Sequence, residues 1–81
     1  MAVHSKYISR FIANEIPTGI IDGINKNFEL AFIPQSNSVI VRLCGLIQVP
    51  GISKDYTLLN STIIFTKAPK VGQEVAVNYF Y

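Results

Sequence analysis

Apolar and polar residues alternate with a period of two along much of this chain, the spacing of side chains on a half-buried β-strand. Asn27-Phe28-Glu29-Leu30-Ala31-Phe32 puts Phe28, Leu30 and Phe32 on one face. Ser38 to Leu43 puts Val39, Val41 and Leu43 on one face and Ile40 and Arg42 on the other, and Leu46-Ile47-Gln48-Val49 is expected to return as the second arm of a hairpin. Tyr56 to Leu59 forms another strand, Thr62 to Lys67 aligns Ile63 with Phe65, and Glu74 to Tyr79 aligns Val75, Val77 and Tyr79. Near the start, Tyr7, Ile8, Phe11 and Ile12 fit both one face of a helix and a strand covered on both sides. Between these runs lie Pro17 and Gly19, Asp22-Gly23, Pro34 to Asn37, Pro50-Gly51, Asn60-Ser61 and Ala68 to Gly72, all turn chemistry. Short strands at roughly 8–12-residue spacing, about seven of them, predict an all-β fold: a small antiparallel β-sandwich, immunoglobulin-like or jelly-roll-like. Residues 1–10 are expected to form an N-terminal arm able to dock on a neighbouring subunit, and residues 11–81 the sandwich.

Composition strengthens the β reading. The chain holds 12 Ile, 7 Val and 4 Thr against 5 Leu and 5 Ala, and β-branched side chains suit a pleated surface better than a helix. Only 15% of its 81 residues are charged and 49% are hydrophobic, the opposite of a disordered composition. A single core in a domain of roughly 70–80 residues rarely supplies more than about 3–5 kcal/mol. With a mean hydropathy of +0.34 and a single cysteine, the simplest expectation is that some apolar surface is buried against other chains. A net charge of +2 excludes a polybasic nucleic-acid arm and an acidic tail. No apolar run reaches the ~18–20 residues of a spanning helix, and Lys6 and Arg10 interrupt the only region placed like a signal peptide.

Chemistry-bearing groups are sparse. Cys44 and His4 are the only Cys-His pair, and Cys44 ends an apolar strand, where a buried small hydrophobe is the expected role. The five acids, Glu15, Asp22, Glu29, Asp55 and Glu74, sit in turns, at strand starts or on polar strand faces. Glycines come one per turn, not as a phosphate-binding loop. No basic strand face is interleaved with aromatics, and no Trp is present for sugar stacking. The expectation is therefore no enzyme, no catalytic residue, no metal, no cofactor, no nucleic acid and no membrane.

An ordered set of features from Phe11 onward goes further. Phe11, Asn14-Glu15, Pro17 and Gly19 are followed by Asp22-Gly23, Asn25, Phe28 and Leu30-Ala31, then Pro34 and the hairpin Val39 to Gln48. Gly51, Asp55-Tyr56-Thr57-Leu58, Ile63-Ile64-Phe65, Ala68-Pro69, Gly72 and Val75 to Tyr79 complete it. In this order the chain resembles a small β-sandwich module of virion structural proteins of tailed bacteriophages. In such modules the hairpin turn usually carries Asn-Gly, whereas here it is Cys44-Gly45, so a longer turn or another type is expected at that point.

The resemblance implies a non-enzymatic bacteriophage structural protein: a capsid decoration, head-fibre, neck or tail component located in the virion and assembled in the host cytoplasm. Limits at Met1 and Tyr81 carry the expectation of a module that stands alone on the particle. The implied partners are other virion proteins and the chain itself, with a trimer the first guess by analogy. The alternative is a receptor- or carbohydrate-binding module at a fibre tip. A sandwich this small buries one face of each sheet, so second-face residues are expected to form the interface. The expected interface residues are Tyr7, Ile8, Phe11, Ile12, Ile40 and Ile64, with Ile8, Ile12, Ile40 and Ile64 on the outward side.

Overall fold

A computed structural model of the chain describes residues 10–81. Its strands are β1 (Phe11–Glu15), β2 (Asn27–Glu29), β3 (Ile40–Leu43), β4 (Leu46–Ile47), β5 (Tyr56–Leu59), β6 (Thr62–Phe65) and β7 (Val75–Phe80). They form two antiparallel sheets, one in the order β1-β7-β3-β4 and the other in the order β2-β6-β5. The fold is all-β, a small sandwich of seven strands, as the alternation predicts.

The inner faces supply the core. Val41, Val75, Val77 and Tyr79 come from the first sheet, and Phe28, Tyr56, Ile63 and Phe65 from the second. Leu30, just past β2, completes the cluster, and no polar or charged residue is buried among the described residues. Phe28 and Phe65 meet edge to face with ring centroids 5.5 Å apart, the arrangement that matches a positive ring edge to a negative ring face.

Local turn chemistry sets the connections. Asp22 Oδ1 accepts the Ile24 and Asn25 N–H groups, both at 2.8 Å, and these two bonds, Asn25's first, hold its carboxyl below the usual carboxylate range. The Asn25 amide donates in turn to the Ile20 and Asn27 carbonyls, so Asp-Gly-x-Asn is a self-satisfied turn leading into β2. Gly19 lies against the ring of Phe28: an added Cβ would sit 2.5 Å from Phe28 Cδ2.

Several expectations are corrected. β2 ends at Glu29 instead of running to Phe32. The Leu30 N–H still extends the β2–β6 register to the Ser61 carbonyl, but the Ala31 N–H turns to Glu15 Oε2 on β1, so from Ala31 the chain leaves one sheet for the other. Phe32 is consequently exposed and stacks on Tyr81, with centroids 3.9 Å apart and planes 6° apart. The returning hairpin arm is also short, with β4 only Leu46–Ile47, because Val49 and Pro50 cross over to meet Asp55 and Tyr56. The hairpin turn itself is the tight two-residue form. Cys44 (φ 51) and Gly45 (φ 81) both take positive φ, the mark of a type I′ turn, with Leu43 paired to Leu46. Cys44 is exposed at its tip, not buried.

The ambiguous N-terminal run is a strand from Phe11 onward. Arg10 already joins the ladder through reciprocal bonds with Tyr81, its N–H to the Tyr81 carbonyl at 3.1 Å and the return bond at 2.8 Å. The rest of the expected arm, with Tyr7 and Ile8, lies outside the described residues.

Candidate functional site

β7 alternates strictly. Val75, Val77 and Tyr79 point into the core, so Ala76, Asn78 and Phe80 must point out. The register then decides what stands beside them. Phe11 pairs with Phe80, Ile40 with Asn78, and Arg42 with both Ala76 and Ile47. The outer face of the β1-β7-β3-β4 sheet therefore carries Phe11, Phe80, Ile40 and Ile47, with Asn78 and Arg42 set among them. Phe11 is 53% exposed, Phe80 41%, Ile40 40% and Ile47 64%, whereas a solvated outer face ordinarily carries polar residues. The Phe11 and Phe80 rings lie 4.8 Å apart, tilted by 49°.

The opposite outer face differs. Asn27, Glu29, Thr57 and Thr62 surround Ile64 there, and Leu59, paired with Thr62, is the one strongly exposed apolar residue among them. Glu29 accepts hydrogen bonds from the Ser61 hydroxyl and, at 2.6 Å, from Thr62 Oγ1; these hydroxyls, Ser61's first, lower its carboxyl pKa. Ile64 is half-buried among these neighbours.

The expected interface residues therefore do not form one patch. Phe11 and Ile40 share the outer face of the first sheet, while Ile64 lies on the other sheet. Ile12 is a correction: it pairs with Tyr79 on the inner side and packs against the core, and Phe11 is the outward residue of β1. Phe80 and Ile47 were missed. For Phe80 the signal was present in the alternation of β7, but its neighbours depend on a strand order that joins β1 to β7.

The end of the sandwich nearest this aromatic pair is held by a polar clamp. The Tyr79 hydroxyl donates to Glu15 Oε1 at 2.5 Å and accepts the Phe32 N–H at 3.3 Å, while Glu15 Oε2 accepts the Ala31 N–H at 2.7 Å. Burial, reinforced by the bond to Glu15, pushes the Tyr79 phenol up to about 12. Glu15 reaches this position because β1 bulges between Ile12 and Glu15, with Asn14 at φ 57 and its N–H on Asn78 Oδ1. Asn tolerates that left-handed conformation better than most residues.

Among the described residues no cluster of three or more His, Cys, Asp or Glu side chains could hold a metal ion. No protein-family model matches the chain, and no curated protein or solved structure is significantly similar to it.

Proposed function

We propose that this protein is a non-enzymatic structural component of a bacteriophage particle, acting through protein–protein contacts made by the outer face of the β1-β7-β3-β4 sheet. The observation that carries the contact role is the apolar character of that face: Phe11, Phe80, Ile40 and Ile47 sit where water would favour polar side chains. Contiguous exposed apolar patches on small soluble domains mark interaction surfaces. The particle context comes from the ordered motif set, Asp22-Gly23-x-Asn25 through Ala68-Pro69 and Gly72, and includes the capsid-decoration, head-fibre, neck and tail positions. Self-association, with a trimer as the first arrangement to examine, belongs to the same reading.

The test is incorporation. A tagged chain is produced during phage infection of its host, and particles are purified by density gradient. The wild-type chain is expected to co-purify at fixed stoichiometry. A Phe80→Ser, Ile40→Thr chain, altered only at outward positions, is expected to fold and be lost from particles. Equal incorporation of both chains, or absence of the wild type from every particle, refutes the proposal.

A further inference from the structure

At the end of β7 opposite the aromatic pair, a cleft of about 420 Å³ opens between the two sheets. That is inside the range of roughly 300–1,000 Å³ typical of small-ligand sites. Leu43 and the edge of the buried Phe65 are the larger apolar residues in a lining that is otherwise mostly polar. Its rim carries Lys54 from the β4–β5 connection and Lys67 and Lys70 from the β6–β7 connection, three of the chain's seven cationic residues. Among the described residues none of these ammonium groups has an ion-pair partner. Asp55 is the only acid lining the cleft, and its Oδ2 is engaged by the Val49 N–H at 2.8 Å. Glu74, next along the chain from Gln73, lines an adjoining groove with Asn14 and Ile16, and Gln73 borders both.

The uncharged groups narrow the ligand. Gln73 Oε1 accepts the Lys70 N–H at 2.7 Å, which leaves its amide hydrogens to donate. Gln48 Nε2 donates to the Leu46 carbonyl at 3.1 Å, which leaves its oxygen to accept. The Thr66 hydroxyl donates to the Lys54 carbonyl, so it too has acceptor capacity left. A wall with both donors and acceptors suits hydroxyl groups, each of which donates and accepts, whereas a sulfate or a phosphodiester only accepts. Single-stranded nucleic acid needs exposed aromatic faces for stacking, and the one ring in this cleft, Phe65, is 2% exposed.

We propose that this cleft binds an anionic sugar unit of a polysaccharide, its carboxylate held by the three lysines and its hydroxyls by Gln48, Thr66 and Gln73. The inference goes beyond the assembly role and does not rest on it, since the cleft and the apolar face share none of the residues that carry either argument.

The full chain, labelled with nitrogen-15, is titrated at low ionic strength with tetragalacturonate, and in parallel with maltotetraose, inorganic phosphate and a single-stranded DNA oligonucleotide. Tetragalacturonate is expected to give saturable amide shifts confined to Leu43 and residues 48–55 and 65–73, with the other probes weaker by at least roughly tenfold. Replacing Lys54, Lys67 and Lys70 with Gln together is expected to weaken binding at least about tenfold. Single Lys67→Gln and Lys70→Gln chains should each weaken it measurably, so the result does not depend on the triple variant folding. Arg10→Gln, at the other end of β7, should leave binding unchanged. Absence of shifts, shifts spread over all cationic residues, or phosphate or DNA binding as tight as tetragalacturonate would each overturn the proposal.

Discussion

Replacing Tyr79 with Phe removes one oxygen from the clamp and leaves the core volume nearly intact. The ring stays buried between Val77 and the neighbouring inward residues, so no cavity contribution arises. What is lost is the donor to Glu15 Oε1 at 2.5 Å and the acceptor for the Phe32 N–H at 3.3 Å. Hydrogen bonds to charged groups contribute about 1.5–3 kcal/mol each. Glu15 is half-buried, so water can take over part of the lost bond, which places the expected cost of Tyr79→Phe near the lower end, about 1.5–2 kcal/mol. In a domain of 60–100 residues each kcal/mol moves Tm by about 4–8 °C, so a fall of roughly 6–16 °C is expected. Urea and thermal unfolding followed by circular dichroism measure it, with an unchanged dependence on denaturant showing that the unfolded state is not the cause. A double-mutant cycle with Glu15→Gln should return a coupling of about 1 kcal/mol, because the two side chains share the bond. Additive effects, or a Tm fall below about 3 °C, would show that the clamp is not holding the segment that leaves β2.

Three further outcomes are expected. The Tyr79 phenol titrates higher in the fold, at about 12, than in the unfolded chain, so the fold binds more protons in strongly alkaline solution. Stability is then full below about pH 10 and falls as pH rises from there toward about 12, a slope that urea midpoints against pH should show and that Tyr79→Phe should reduce, Tyr56 (also raised by burial) keeping part of it. Gly19→Ala forces a methyl to within 2.5 Å of Phe28 Cδ2 in the core and should cost about 1–3 kcal/mol in urea unfolding; an unchanged midpoint would mean that the Phe28 ring yields freely. Cys44→Asn places a residue that tolerates left-handed φ at the tip of the type I′ turn and should raise stability by about 0.5–1 kcal/mol in the same assay; a loss would show that the Cys44 side chain contributes something the turn geometry does not.

Parity along a strand is a local property, and where one face alone is apolar it was legible from residue order. Val41, Ile63, Phe65, Val75, Val77 and Tyr79 are in the core because their neighbours alternate. The turns at Asp22-Gly23 and Asn60-Ser61 were legible for the same reason, since short side chains bond their own backbone or accept positive φ. Where both faces are apolar, local pattern is silent. Ile12 is inside and Phe11 outside because β1 pairs with β7, a strand more than sixty residues away, and nothing near Phe11 encodes that register. The end of β2 was likewise decided at a distance, by Glu15 and Tyr79 capturing the backbone that leaves the strand. Individual outward residues such as Phe80 and Ile40 could be found from the chain, but not that they share a face, which follows from the nonsequential order β1-β7-β3-β4. The lysine-rimmed cleft depends still more on tertiary structure. Lys54 and the pair Lys67 and Lys70 lie in different connections, and only the packing of one sheet on the other brings them to one opening. Residue order alone determined that this chain is a β-sandwich and which residues fill most of its core; side-chain contacts between distant strands decided what its two surfaces present.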